Sequence, residues 1–397
     1  MLGKDNWDQT KAKWKKYWRR ENDGRPLMCV IARDPQVEAA WQQAQRDGAK
    51  PFSVICQGVD PTLPSELVPR DMEDLYQDAV RMDLRYRHFC GTHYFLGESF
   101  PNIDADFGPG SMAAYQGCDI TFREDTVWFE KCVDDWAGRP PIRFDPDNAW
   151  WQKHDRLIQD LSRLSGGDYL IGMPDIMENV DVLASMRGLE DLLYDIIDDE
   201  DEVIRRITEV SDAYYDYYDR FYDHVKDVDG GSAYTVFQIW GPGRLAKLQC
   251  DLSAMFSPEH FRRLIVDSLR TQAQKLDQVL YHLDGVEAIR HVDALMEIDE
   301  IDALQWTSGD FGPDGTLEEW DVIYDKVRAA KKSMWVKVYT GDVDDWIRHV
   351  DRLVSKYGSH SLFLHFPEMS MADADKLLSH AEKCWSDIDG TFNPQGS

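Results

Sequence analysis

His282 and Asp284 stand one residue apart in the stretch Tyr281-His282-Leu283-Asp284-Gly285. On a β-strand, whose side chains alternate, both point to one face with their Cα atoms ~7 Å apart. An imidazole and a carboxylate on one face at a strand end can chelate a metal if a third donor arrives from elsewhere. The sequence offers two candidates for that third ligand, His365 and Glu98. Without a metal, the same pair reads as a carboxylate orienting an imidazole for proton transfer. Asp175 and Glu178, in the run MPDIMEN, form a second carboxylate pair suited to acid–base work. Glu178 equally suits the start of a helix, where negative charge complements the dipole. Arg33 and Arg244 are cations that could hold a substrate carboxylate, and the GPGS (108–111) and GPGR (241–244) turns could hold an anion on backbone N–H groups. The nucleophile motifs SxxK and GxSxG and a Walker A loop are absent.

These residues need elements to position them. Short apolar, β-branched or aromatic runs at 27–32, 93–98, 169–176, 235–240, 279–284, 303–307, 334–339 and 361–366 predict strands buried on both faces. Helical stretches at 7–20, 257–276, 289–296, 318–330, 342–357 and 372–385 separate them or flank them. The 257–276 helix opens with Ser257, Pro258 and Glu259, three start signals together. Eight strands alternating with helices predict an α/β fold, a (β/α)8 barrel formed by one domain over 1–397. Residues 1–24 would be an N-terminal helical extension and 25–390 the barrel, with a Gly/Pro-rich loop over 98–118 covering its mouth. No GxGxxG follows the first strand, which argues against an open dinucleotide-binding sheet. The tyrosine-rich segment 198–228 predicts a long helix laid on the barrel wall or, as the alternative, a ring-lined ligand or dimer surface.

In such a barrel the reacting groups project from the C-terminal ends of the strands. That rule makes His282, Asp284, Asp175 and Glu98 the catalytic candidates. Arg33, Gln238, Trp240, Gln305, Trp306 and Tyr339 become candidates for contact with substrate, and His282, Asp284 and His365 the candidate metal set.

The 73 acidic against 44 basic residues give a formal charge of −29, which repels phosphate backbones and anionic lipid. Nucleic-acid and membrane partners are therefore not expected. No apolar run approaches the ~20 residues of a bilayer span, and the N-terminus lacks the apolar middle of a signal peptide. The seven cysteines are scattered, odd in number and never spaced as CxxC, which fits a reducing, cytoplasmic setting without a disulfide framework.

Several blocks, DLSAMFSPEHFRRLIVDSL (251–269), LYHLDGVEAIRHVDALMEIDEIDALQW (280–306), GPGSMAAYQGC (108–118) and MENVDVLASMRGLEDLLYDIIDDEDEV (177–203), resemble the uroporphyrinogen decarboxylase superfamily. The arginine-rich N-terminal signature of its haem-pathway decarboxylases is missing; RPLMCVIARDPQ stands there, with Arg33 the one remnant. The resemblance therefore implies the branch that passes methyl groups between a small substrate and a corrinoid protein. That branch binds zinc through His-x-Cys and a later Cys. Here His282 matches the histidine, Asp284 replaces the first cysteine, and His365 stands near the second. Such a harder donor set would suit zinc or another divalent ion activating oxygen rather than a thiol. No DxHxxG corrinoid motif is present, so any corrinoid would arrive on a separate protein. Two alternatives stay open: a decarboxylase without cofactor, acting on a tetrapyrrole or other carboxylate through Asp175 or Asp284, and a non-catalytic corrinoid- or tetrapyrrole-binding barrel. The fold also implies a possible homodimer.

Overall fold

The apolar run Leu27–Arg33 is buried at every residue and forms the strand around which the rest of the sheet is organised. In the computed structural model, which describes residues 1–48, 60–124, 126–309 and 312–393, this strand belongs to an eight-stranded sheet. Seven of its strands run Met369–Ser370, Leu27–Arg33, Leu362–His365, Ser333–Lys337, Ala303–Thr307, Gln278–Asp284 and Leu245–Gln249, all parallel to their neighbours. The protein is thus a mixed α/β fold built on a largely parallel sheet, with helices packed along its length. Among the described residues the hydrogen-bonded ladder does not close into a barrel: it stops at Leu245–Gln249 on one side.

Helices return the chain between the later strands, and their ends carry the expected chemistry. Asp342 and Asp345 form a capping box at Val343–Tyr357. Ser370 caps Met371–Cys384, and Ser257 with Pro258 opens Pro258–Leu264. The expected 257–276 helix is broken at Ile265, after which Val266–Ala273 resumes it. Helix Trp7–Arg19 lies across the end where the strands begin. Its Trp14 and Trp18 indoles donate to the Glu98 and Trp240 carbonyls, and its Tyr17 hydroxyl donates to Met334 O.

Three strand expectations need correction. His93–Gly97 is a strand, but it runs antiparallel to Leu27–Arg33, because it leaves helix Ala79–Thr92 with no connecting loop. The chain turns back at Gly97, whose positive φ and close approach to Met28 O exclude a side chain. The parallel strand that follows is only Asn102–Ile103, paired with Leu170–Ile171, and the 169–176 expectation shrinks to that second pair. Residues 235–238 form a tight turn, with Gln238 N bonded to Thr235 O, between the antiparallel strands Ser232–Tyr234 and Ile239–Gly241, so the expected 235–240 strand shrinks to its last two residues. The strand Leu245–Gln249, absent from the expectation, pairs with Gln278–Asp284 in its place. Helix Glu200–Val225 buries Tyr214, Tyr215, Tyr217, Tyr218 and Phe221, so these rings are packing. Among the described residues no helix is long and apolar enough to cross a membrane.

Candidate active site

Register assembles the site. Gln249 pairs with His282, and His282 with Gln305, so three polar residues stand level on adjacent strands. Strand periodicity then carries Asp251 and Asp284, each two residues further on, to the same end. Asp251 begins the turn Asp251–Met255, where Asp181 accepts the Asp251 and Leu252 N–H groups at 2.7 and 2.9 Å. Ligand atoms of Asp251, His282 and Asp284 all lie within 4.8 Å of one another, with Asp251 exposed and the other two half-buried.

The hydrogen bonds fix the imidazole's tautomer. The Gln305 amide nitrogen donates to Trp306 O at 2.9 Å and Thr307 Oγ1 at 2.8 Å, so its oxygen faces His282 Nδ1 and accepts from it. Nδ1 therefore carries the proton and Nε2 keeps its lone pair. A neutral imidazole nitrogen and two carboxylates are a borderline-to-hard donor set that fits a divalent cation and leaves coordination positions open. The Phe237 ring, 5.2 Å from the imidazole, covers one side.

A second cluster lies deeper. Lys247, two residues before Gln249, is buried and bonds Asp175 at 2.8 Å and the Gln249 side-chain oxygen; Gln249 in turn donates to Asp251 at 2.8 Å. Burial lowers the Lys247 ammonium's affinity for its proton, but Asp175 and Glu178 outweigh this and hold its pKa above the ordinary value. Asp106 accepts the Asp175 N–H at 2.7 Å. Burial, reinforced by Asp175, pushes the Asp104 carboxyl up to about 8. Burial with Asp104 and Asp175 pushes Asp106 well above the carboxylate range. Burial likewise raises Glu178, which accepts the Gln249 N–H. Asp181 rises to about 7 through burial and the neighbouring Asp251. The interior thus holds several carboxyls that keep a proton near neutrality. Glu178 sits between Met177 and Asn179, both with positive φ (54° and 48°). That backbone is held by the Asn179 amide donating to Gln249 O at 2.8 Å.

The expected residues divide sharply. His282, Asp284 and Gln305 meet at one place, and Asp175 belongs to the interior cluster. His365 does not join the metal set. It is three strands from His282, about 14 Å along a sheet, and it stacks on Trp335 at 5.1 Å. Burial, with Lys337 beside it, pushes its pKa down to about 3. Asp251, not His365, lies within reach of His282 and Asp284. Glu98 lies at the opposite end of the sheet, where Arg25 (2.7 Å), Lys13 (2.9 Å) and Met28 N–H (2.9 Å) bind its carboxylate. Arg33 pairs with Glu38 and lies over Trp41. Gln238 is buried and accepts from Asn102. Trp240 is core, its indole donating to Asp227. Trp306 is buried against Trp320, and Tyr339 is exposed with its hydroxyl on Gly312 O. Arg244 pairs with Asp219.

Asp251, Lys247, Asp104, Asp106 and Asp181 are the residues the sequence reading passes over. The signal for two of them is present: in Leu245-Ala246-Lys247-Leu248-Gln249-Cys250-Asp251 the polar residues alternate with apolar ones, as on a strand.

No protein-family profile matches this chain, and no curated protein does either. Among solved structures the chain is similar to a B12-independent methionine synthase from Shewanella sp. W3-18-1, determined in complex with selenomethionine. The TM-score is 0.43 and the identity 9%, over 91% of this chain and 96% of that one.

Proposed function

We propose that the protein is an enzyme that removes a methyl group from an oxygen or nitrogen of a small substrate and passes it to a corrinoid carried by a separate protein. The observation that carries this reading is the convergence of Asp251, His282 and Asp284 at the C-terminal ends of adjacent strands. The resemblance of the 251–269 and 280–306 blocks to the uroporphyrinogen decarboxylase superfamily, with the arginine-rich signature of its decarboxylases missing, supports the reaction class. A divalent cation held by these three residues would supply Lewis acidity to the substrate's oxygen or nitrogen. Gln305 keeps the imidazole in the binding tautomer, and Phe237 restricts water on one side. The methyl group leaves without its bonding electrons, which stay on the substrate heteroatom; that atom then takes up a proton. Asp251, Gln249 and Lys247 form a continuous polar chain from this point to Asp175, whose backbone N–H donates to Asp106.

The interior cluster also favours a second reading, a decarboxylase without cofactor in which a protonated Asp106 or Glu178 delivers the proton that replaces carbon dioxide. One experiment separates the two. Purified protein supplied with zinc, reduced free cobalamin and a panel of methoxylated and N-methylated compounds should form methylcobalamin, followed by its absorbance, and His282→Ala should abolish it. Release of carbon dioxide from carboxylated substrates, with no methylated corrinoid and no dependence on His282, would overturn the first reading in favour of the second.

A further inference from the structure

Cys118 and Cys132 are 14 positions apart, yet their sulfurs lie 3.2 Å from each other. They flank a hairpin whose strands Asp119–Phe122 and Val127–Glu130 pair from Asp119 with Glu130 onwards, so the two thiols meet where the ladder ends. Both are unbonded thiols. Cys118 is buried and Cys132 half-exposed, giving one sulfur that solvent reaches and one behind it. Arg139 places a guanidinium nitrogen 3.9 Å from the Cys132 sulfur, anchored on Gln116 O at 2.5 Å.

We propose that Cys118 and Cys132 are a redox-active pair that closes to a disulfide when a peroxide reaches Cys132, stapling the base of this hairpin. The Cys132 thiolate attacks one peroxide oxygen; the S–O bond forms, the O–O bond breaks, and the second oxygen leaves as water after taking up a proton. Cys118 then attacks the Cys132 sulfenic acid. The S–S bond forms, the S–O bond breaks, and hydroxide leaves with the Cys118 proton as a second water. Two thiols are oxidised by two electrons and one peroxide is reduced to two waters. The environment divides the roles. The hydrogen bond from Cys118 and then, against burial, the charge of Arg139 draw the Cys132 thiol down to about 7, while the Cys118 thiol is raised by its contact with Cys132 and by burial.

The staple sits on the candidate site's supports. Cys132 N–H and Val133 N–H both donate to Met186 O at 2.9 Å, at the end of helix Asn179–Arg187, whose N-cap is Glu178. On the other side, the short helix Ser111–Tyr115 that leads to Cys118 is tied to the site by Gly110 N–H on Asp175 O and Met112 N–H on Ile176 O. Oxidation therefore tightens the segment lying over Asp175 and Glu178, a property independent of which reaction the site performs.

The test treats the reduced full-length protein with hydrogen peroxide, blocks remaining thiols with iodoacetamide and maps the peptides. The expected result is a reducible Cys118–Cys132 cross-link, with Cys132 losing its alkylation about tenfold faster than the exposed Cys384. Hydrogen exchange across 119–130 should slow on oxidation and recover with dithiothreitol. Cys118→Ser should leave Cys132 as a sulfenic acid trapped by dimedone. The wild-type mapping stands by itself should that variant fold poorly. Oxidation of Cys384 while Cys118 and Cys132 stay alkylatable, or sulfinic acid at Cys132 without the cross-link, would overturn the proposal.

Discussion

The middle of the chain and its C-terminal part build their shares of the site by different means. From Leu245 onwards, strands of four to seven residues run parallel in an unbroken register, apart from the two-residue edge strand Met369–Ser370. Between Asn102 and Gly241 the strands have two to four residues, and three non-glycine residues, Met177, Asn179 and Gln238, take left-handed backbone. The regular region supplies His282 and Gln305, level on adjacent strands, and Asp284 two residues beyond His282 on the same face. The irregular region supplies Asp104, Asp106, Asp175, Glu178 and Asp181, carboxyls gathered by turns. The contrast teaches that ladders set side chains in register while strained turns bury acids, and that Leu245–Gln249 joins the two: it carries Lys247 to the acids and Gln249 towards His282.

The largest effect that would break this contrast is at that junction. Lys247→Ala leaves Asp175 without its buried cation and should cost about 3–5 kcal/mol in urea unfolding. Lys332→Ala, in the regular region, removes hydrogen bonds to the Ile298, Asp299 and Ile301 carbonyls and should cost about 1–3 kcal/mol. Equal losses would mean that the acids do not depend on Lys247. Glu98→Ala should cost about 3 kcal/mol by leaving the buried Arg25 with Glu382 as its one carboxylate, yet leave divalent-ion affinity at the wild-type value, as expected of a residue at the far end of the sheet. Gln305→Leu keeps the strand but loses the acceptor for His282 Nδ1, so zinc affinity by calorimetry should fall about 10–100-fold.

The pH response sharpens the comparison. Asp104 titrates at about 8 in the folded chain through burial, above its ordinary value of 3.8. Its stabilising contribution is complete below that ordinary value and is lost as pH rises through about 8. Asp104→Asn should therefore gain stability relative to wild type as pH rises, on the order of 1 kcal/mol per pH unit between those two values, read as the difference in Tm. The regular region responds in the opposite sense. Burial holds His365 neutral down to about 3, so its contribution is present above the ordinary histidine value and fades as pH falls. The smallest effect is Ser370→Ala, which removes the cap on Asp373 N–H and should cost about 1 kcal/mol with no change at the site.

The regular region was the legible one. Ala303–Thr307 occupies the expected span, and the 279–284 and 361–366 runs shift by one residue or shorten, because strands buried on both faces are written as continuous apolar runs. His282 and Asp284 followed from that periodicity. The third donor did not. His365 has the right chemistry but the wrong strand, and sequence gives no distance across a sheet. Asp251 was hidden because Leu245–Gln249 contains Lys247 and Gln249, polar residues that disguise a buried strand. The acids at Asp104 and Asp106 were illegible for a related reason: they flank strands of two residues, too short for periodicity to register, and their burial is set by long-range packing.

The central claim is that Asp251, His282 and Asp284, and not His365, form a single divalent-ion site. Metal content of the zinc-equilibrated protein, measured by mass spectrometry in wild type, His282→Ala, Asp251→Ala and His365→Ala, tests it most directly. The account predicts about one ion per folded chain in wild type and in His365→Ala, and near-complete loss in His282→Ala and Asp251→Ala. An ion that survives Asp251→Ala but not His365→Ala, or no bound ion in the wild-type protein, would contradict it.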